Sequence, residues 1–336
     1  MKSNMKAIVL TEYGTPDVLQ LKEVEKPTPK DNEILIKVHA TTATTADCEL
    51  RSFKTKLWLW LPLRIFMGIS KPRGTKILGQ EVAGEVESVG KNVRSFKKGD
   101  QVFGLTGMGF GAYAEYKCLH EKSTVTTKPA NATYAEAAPI STWGGTALHF
   151  IRKGNIQSGD NVLIYGAAGS IGTFAVQIAK FFGAVVTAAD STKKLDTLRA
   201  IGADHVIDYT QEDFTKNGHT YDVIFDVVGK SSYPRSLGSL KRNGRYLLAN
   251  TGPLHMIRAI WTSRVSSKEV IFEFADPKVK DLVFLKELVE AGKIESVIDR
   301  VYALEQTAEA HRYIDTGDKR GHVVIVRRQP IWDHWH

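Results

Sequence analysis

The sequence predicts an α/β protein in two parts, a compact β barrel followed by a parallel, doubly wound sheet. Three observations carry that prediction. Short alternating apolar and polar runs, separated by Gly, Pro and Asp turns, fill the first ~125 residues. From about Thr133 the apolar spacing becomes helical, and short apolar strands then alternate with helical stretches. Between Asn161 and Lys180 an apolar run, a glycine turn and a helix follow one another without a spare residue.

Taken in order, Ala7-Ile-Val-Leu opens the β part, and Glu33 to His39 and Glu81 to Gly90 alternate as strands. Lys98-Gly-Asp100 is a turn feeding the strand Gln101-Val-Phe. Ala135 to Arg152 reads as a helix interrupted near Trp143-Gly-Gly145, and Gly159-Asp160 turns the chain into the strand Val162-Leu-Ile. The helix that follows places Phe174, Ile178 and Phe181 at three- and four-residue spacing, and Val185-Val-Thr-Ala-Ala is the next strand. His205 to Asp208, Asp222 to Asp226 and Arg245 to Ala249 are further strands, linked by helical Leu195 to Ile201 and Ser236 to Lys241. Pro277 to Ala291 is a helix with Val279, Leu282, Val283, Leu288 and Val289 on one face. A strand around Val297-Ile298 and an end strand, His322 to Val326, are expected to return to the first part. No internal repeat or low-complexity segment is present.

With 336 residues and 43% apolar content, the chain suits about two globular domains. No run approaches the ~20 apolar residues of a membrane span, and the N-terminus enters a strand-like run without a secretory h-region. Two cysteines, Cys48 and Cys118, make no disulfide framework, which favours a reducing, cytoplasmic setting. The net charge of +8 raises nucleic acid as a partner. Yet the paired cations fall in separated groups such as Lys97-Lys98 and Lys241-Arg242, with no nucleic-acid module around them. A solvated basic surface is expected instead.

The glycine turn carries the chemistry. A strand that delivers its chain to a helix N-terminus presents N–H groups and the positive end of the helix dipole to phosphate. The missing side chains at Gly166 and Gly169 let backbone approach a pyrophosphate, and Gly172 lets the helix pack tightly on the sheet. The segment departs from the usual G-x-G-x-x-G, because Ala167 stands at the first glycine position. In its strand–helix–strand setting, the stretch Gly166, Ala167, Ala168, Gly169, Ser170, Ile171 and Gly172 is read as a dinucleotide loop.

With both parts laid out, the chain resembles the medium-chain dehydrogenase/reductases, in their zinc-free quinone oxidoreductase (zeta-crystallin-like) branch. The matching pieces are Gly79-Gln-Glu-Val-Ala-Gly-Glu-Val, Gly99-Asp-Gln-Val-Phe-Gly104, Gly111-Ala-Tyr-Ala-Glu115, Trp143-Gly-Gly-Thr-Ala-Leu148, the glycine loop, Leu198 to Asp204 and Asp222 to Gly229. The resemblance implies a GroES-like β-barrel catalytic domain over 1–127, completed by 296–336, and a Rossmann NADP(H)-binding domain over 128–295. It further implies a catalytic cleft between the domains and a homodimer.

Catalytic zinc needs three Cys, His or carboxylate ligands. Zinc-containing relatives carry a His where this chain has Gln80, a Cys near Thr44 to Ala46, and a third Cys near Ser141 to Gly145, where none stands. No metal is expected, and Cys48 reads as a small, partly buried side chain. An acidic residue closing the second strand selects NADH, whereas cations accept the 2′-phosphate of NADPH. Ala189-Asp190-Ser191-Thr192-Lys193-Lys194 offers both. Relatives with a Ser-Thr plus Lys/Arg sequence here use NADPH, and their lysine and tyrosine fall on Lys194 and Tyr209. NADPH is therefore favoured, with Ser191, Lys193, Lys194, Tyr209, Val228 and Asn250 in the binding set and Asp190 turned away or capping the next helix. NADH is the alternative.

Without a metal, the chemistry expected is hydride transfer to a carbon made electrophilic by conjugation, in a quinone or an α,β-unsaturated carbonyl. The family's N-x-x-D-x-x-x-R element is here Thr44-Thr-Ala-Asp47-Cys-Glu-Leu-Arg51. Thr44 can still donate a hydrogen bond, and Asp47 and Arg51 serve either the chemistry or a structural ion pair. Thr146 matches a family threonine near the nicotinamide, while Tyr113 and Trp143 line the cleft or sit in the core. Leu57 to Ile69, with Pro62 and Arg64 inside it and Lys54, Lys56, Lys71 and Arg73 around it, reads as a lid, a core helix or a weak membrane-surface contact. The tail histidines His334 and His336 read as a frayed end. Two competing functions are an NAD(P)-dependent alcohol or aldehyde dehydrogenase and a non-catalytic NADPH-binding protein.

Overall fold

Residues 3–54, 57–74, 76–250 and 252–327 are described by the computed structural model, with backbone alone at 57–59 and 253–256. The tail histidines lie outside the described residues. The chain forms two compact units, one of Met1–Thr142, Lys278–Glu290 and Ile298–His336, the other of Trp143–Pro277 and Ala291–Val297.

In the first unit β1 (Asn4–Leu10) pairs antiparallel with β2 (Leu19–Glu25), and β3 (Glu33–Ala43) follows. Next come α1 (Thr45–Ser52), α2 (Leu57–Met67), β4 (Lys76–Ile77), β5 (Glu81–Val89), β6 (Gln101–Leu105), β7 (Tyr116–His120), β8 (Val125–Thr127) and α3 (Tyr134–Ala137). Strand β3 lies between β5 and β7 in antiparallel register, with Val38 opposite Gly84 and Leu35 opposite Cys118. Alternation along these strands turns Ile34, Ile36 and Val38 inward against Val82, Val86, Val102 and Leu119, the core of the expected barrel. Helix α3 starts in a capping box, where Thr133 Oγ1 accepts from Glu136 N (3.2 Å) and Glu136 Oε2 accepts from Thr133 N (2.7 Å). Helical structure breaks at Ala138–Ile140, where Pro139 lacks an N–H; Trp143-Gly-Gly145, expected at the interruption, lies inside the next helix.

The second unit contains α4 (Trp143–Lys153), β9 (Asn161–Tyr165), α5 (Ser170–Phe181), β10 (Val185–Asp190), α6 (Leu195–Ala200) and β11 (His205–Asp208). It continues with β12 (Tyr221–Asp226), α7 (Tyr233–Gly238), β13 (Leu240–Leu248), α8 (Pro253–Val265) and β14 (Glu269–Phe272). All six strands are parallel, in the order β11-β10-β9-β12-β13-β14. The order reverses between β9 and β12, and in such sheets ligands bind beyond the strand ends at that point. The helix expected at Ser236 to Lys241 is instead α7, started early by Pro234 and followed at once by β13. The sheet is buried on both faces, with Leu163, Ile224, Phe225 and Leu247 fully enclosed.

The chain then re-enters the first unit with α9 (Val279–Glu290), β15 (Ile298–Ala303), α10 (Thr307–Asp315) and β16 (His322–Val326). Helix α9 buries Leu282, Leu285, Leu288 and Val289, whereas Val279 and Val283 are exposed, so its inner face is rotated from the expected one onto Leu285. Strand β16 returns as expected, pairing antiparallel with β3 through Val323 opposite Ala43. Among the described residues no helix is long and apolar enough to cross a membrane.

Candidate active site

The glycine turn in the second unit is shaped almost wholly by backbone. Gly166 has a left-handed φ of +81°, and a Cβ there would lie 2.7 Å from Val228 Cγ1. A Cβ on Gly172 would meet the Ala167 carbonyl oxygen at 2.5 Å and its Cα at 2.6 Å, so only glycine lets the first turn of α5 close on the loop. The turn is pinned from β10, where Ala189 O accepts from Gly166 N (2.9 Å) and Ala167 N (3.2 Å). Ala167 and Ala168 are buried, and Gly169 is the N-cap of α5, whose first regular bond runs from Thr173 N to Gly169 O. Ser170, Ile171 and Gly172 therefore form the first turn, the anion-attracting end of the helix.

Asp190 closes β10 with its carboxylate turned back into this loop. Its Oδ2 accepts from Ala168 N (2.9 Å) and its Oδ1 from Ser191 N (2.8 Å). It is buried, and Lys194 Nζ lies 3.8 Å from Oδ1. Asp190 thus braces the loop and does not cap the helix that follows. Tyr209, half exposed, stacks on Tyr165 at 5.2 Å, with its N–H donated to Asp190 O (3.2 Å). Ser191 is half-buried and Lys193 exposed. After β12, Asp226 accepts from Gly229 N (2.7 Å) and Val228 N (3.2 Å), fixing Val228 beside Gly166. Asn250 is exposed just beyond β13, and its carbonyl oxygen lies where a Cβ on Gly229 would stand. Loop, Asp190, Tyr209, Val228 and Asn250 all follow the carboxyl ends of parallel strands. The residues present fit a dinucleotide. Thr146 lies half-buried on α4 of the same unit.

The first unit holds Thr44 and Asp47 at the start of α1. Thr44 is the N-cap; its Oγ1 accepts from Asp47 N (3.0 Å) and donates to Asp47 Oδ2 (2.7 Å). Its one hydroxyl proton is thereby directed to Asp47. The Asp47 carboxylate, fully buried, also accepts from Gly79 N (3.3 Å) and from the Tyr113 hydroxyl. Burial raises its pKa from 3.8 to about 6, against the lowering effect of these donors.

A buried chain of side chains continues from Asp47. Tyr113 Oη lies 3.2 Å from His311 Nε2, and His311 Nδ1 lies 3.4 Å from Cys48 Sγ. Burial, reinforced by the Arg51 cation, lowers the His311 pKa to about 3, so the ring is neutral and has one donor and one acceptor nitrogen. One tautomer satisfies the whole chain: Cys48 donates to Nδ1, Nε2–H donates to Tyr113, and Tyr113 donates to Asp47. Burial pushes the Cys48 thiol up, which suits a donor and excludes a thiolate nucleophile at neutral pH. The expected Asp47–Arg51 ion pair is not formed. Arg51 instead pairs with Asp315 of α10 at 2.7 Å. His311 was not legible as a partner, since it joins the chain from a helix 264 positions after Asp47.

Gln80 and Glu81 open β5 beside Gly79. Glu81 is fully buried, its carboxyl raised well above the usual range by burial, against the lowering effect of the Thr142 hydroxyl beside it. Among the described residues no three His, Cys, Asp or Glu side chains are grouped as a metal site.

Two family models match parts of the chain. Residues 30–130 match the alcohol dehydrogenase GroES-like domain, and residues 201–325 match the zinc-binding dehydrogenase model. The chain is 34% identical to a 2-methylene-furan-3-one reductase of Solanum lycopersicum, over 96% of its own length and 79% of the relative's. It is 31% identical to an NADPH-dependent alkenal/one oxidoreductase, chloroplastic, of Arabidopsis thaliana, with the same coverage of 96% and 79%. Its structure aligns with that of the quinone oxidoreductase from Coxiella burnetii at a TM-score of 0.86, 28% identity, and coverage of 97% and 100%. The turn at Gly166–Gly172, the sheet order and these relatives agree: the chain belongs to the quinone oxidoreductase branch of the medium-chain dehydrogenase/reductases, nicotinamide-dependent oxidoreductases.

Proposed function

We propose that this protein is an NADPH-dependent, zinc-independent reductase of quinones or α,β-unsaturated carbonyls. The observation that carries the cofactor choice is the direction of Asp190. With its carboxylate engaged by Ala168 N and Ser191 N, it is withdrawn as a ribose acceptor. Ser191, Lys193 and Lys194 stand at the end of β10, with Lys194 Nζ 3.8 Å from Asp190 Oδ1, and a hydroxyl with two cations is chemistry that suits a 2′-phosphate. Gly166 to Gly172 would hold the pyrophosphate, with Tyr209, Val228 and Asn250 beside it. The bound nicotinamide supplies the hydride.

The donor set favours a metal-free reaction. Gln80 and Thr44 are neutral, Cys48 is protonated and turned to His311, and His311 is engaged by Tyr113. Conjugated acceptors need no Lewis acid, only orientation and stabilisation of the developing enolate oxygen. In this reading Thr44 and Asp47 act as one hydrogen-bonded pair and Thr146 orients the nicotinamide side of the site. The first unit, which contains the GroES-like part, would carry substrate, and the second unit the nucleotide. A cytoplasmic homodimer completes the proposal, with β14 as an edge strand of the parallel sheet on which a second copy could pair. Comparing kcat/KM for NADPH and NADH on a quinone and an enone tests it. A clear NADH preference, or turnover of unactivated alcohols alone, would overturn it.

A further inference from the structure

The basic character of this chain is not spread over its surface. Residues 50–80 contain seven Lys or Arg and no Asp or Glu, and residues 250–268 contain three and none. Against a net charge of +8, the remainder of the chain is therefore slightly acidic, at −2. Each acid-free stretch holds a helix with an uncovered apolar face.

Helix α2 is anchored on one side only. Met67 is buried and Leu63 packs on the core under β1, while Arg64 stacks over Phe53 at 4.0 Å and Tyr13 at 4.4 Å. The other side leaves Leu61 59%, Ile65 54% and Phe66 45% exposed, and Ile69 beyond the helix is 66% exposed. Lys54, Lys71 and Arg73 flank this face, all exposed and none with a carboxylate partner among the described residues. Helix α8 repeats the arrangement in the other unit. Ala259 and Thr262 face inward, Ile257 and Trp261 are each 67% exposed, and Arg258 and Arg264 stand beside them.

We propose that α2 and α8 are membrane-surface helices, each laying its apolar face into the headgroup boundary of an anionic lipid bilayer. Large apolar side chains rimmed by cations, on a short helix, are the composition of an interfacial helix. Contiguous exposed apolar faces are uncommon on proteins with no partner for them. Charge selects the occupant. A two-fold contact with a second copy through either face would set the same uncompensated cations against one another. An anionic bilayer complements them, attracts each within a Debye length, and accepts an apolar face without needing a shaped pocket. This surface would bring the protein to a phase in which long apolar substrates concentrate, although the binding itself does not depend on the reductase reading.

The test is co-sedimentation of the full chain with phosphatidylcholine vesicles, with and without about a third phosphatidylserine. Binding is expected to the anionic vesicles at low salt, reversed by high salt, with a blue shift of tryptophan emission. Lys54→Gln/Lys71→Gln/Arg73→Gln should lower partitioning about a hundredfold, at roughly fivefold per cation. Leu61→Ser/Ile65→Ser should lower it at least tenfold. All five side chains are exposed, and thermal melts matching the parent verify that both variants fold. Protein remaining in the supernatant at low salt, or variants that bind like the parent, would overturn the proposal. So would a parent that self-associates through these faces, seen as variants changing oligomeric state without any vesicle binding.

Discussion

In the second unit the glycine turn is shaped by backbone within 64 residues, from Gly166 to Gly229, with two carboxylates, Asp190 and Asp226, tying down its N–H groups. In the first unit Asp47 is held from four segments, by the Thr44 and Tyr113 hydroxyls, the Gly79 backbone N–H and, through Tyr113, the His311 ring. The backbone site tolerates no change of shape at its glycines but presents generic chemistry to any dinucleotide. The side-chain site stores its specificity in proton positions, and a single deleted hydroxyl would reset it. One unit is a rigid cradle and the other a tuned polar chain.

The sharpest break in that contrast is expected from pH. Asp47 has a folded pKa raised from 3.8 to about 6, so its contribution is fully present below 3.8 and is lost as pH rises through about 6. His311 is lowered from 6.5 to about 3, so its contribution is fully present above 6.5 and is lost as pH falls toward about 3. The first shift is worth on the order of 3 kcal/mol and the second on the order of 5 kcal/mol. Between about pH 6 and 4 the two contributions change in opposite directions at nearly equal rate, so stability of the parent should fall only slightly on acidification from pH 6.5 to 4. Urea denaturation across this range should show a steep fall for Asp47→Asn, where His311 acts alone, and a rise on acidification for His311→Gln, where Asp47 acts alone.

In the cradle, Gly172→Ala forces a Cβ into the Ala167 backbone at 2.5 Å and should cost about 3 kcal/mol or more. Loss of NADPH binding should accompany it in a fluorescence titration. Lys194→Ala should raise KM for NADPH about 10- to 100-fold and leave NADH nearly unchanged, as expected for one charge-assisted contact. Tyr113→Phe leaves Asp47 and His311 each short of a partner and should cost about 1–3 kcal/mol, while NADPH affinity stays within error. The smallest effect is expected at Arg51, whose Nε and Nη1 have no partner among the described residues. Arg51→Met should change stability by under about 1 kcal/mol, because relief of desolvation offsets the lost Asp315 pair.

How much of this was readable depended on how local each feature is. Strands β9 and β10, helix α5 and the glycine turn are encoded in consecutive residues, and their bounds match the sequence reading within a residue or two. Asp190 was visible as a charge, but its direction was not, because the bonds to Ala168 N and Ser191 N depend on the turn around it. The Asp47–Arg51 spacing suggested an ion pair; the helix instead sends the two side chains to different partners. His311 had no local signal at all, lying in α10 amid otherwise ordinary helix residues. Helix α8 and strand β14 escaped notice because neither has clean amphipathic spacing, Ile257, Ile260 and Trp261 all facing solvent. The break at Pro139 was displaced onto Gly144 and Gly145, glycines that a packed helix tolerates.

The central claim is that this chain reduces conjugated carbonyls or quinones with NADPH. Initial rates of NADPH and NADH oxidation, followed by the ultraviolet absorbance of the reduced nicotinamide with a quinone, an enone and a saturated aldehyde, test it most directly. Turnover of the quinone or the enone, none of the aldehyde, and a kcat/KM about tenfold or more higher with NADPH are expected. Tight NADPH binding without turnover of any acceptor, or a preference for NADH, would contradict it.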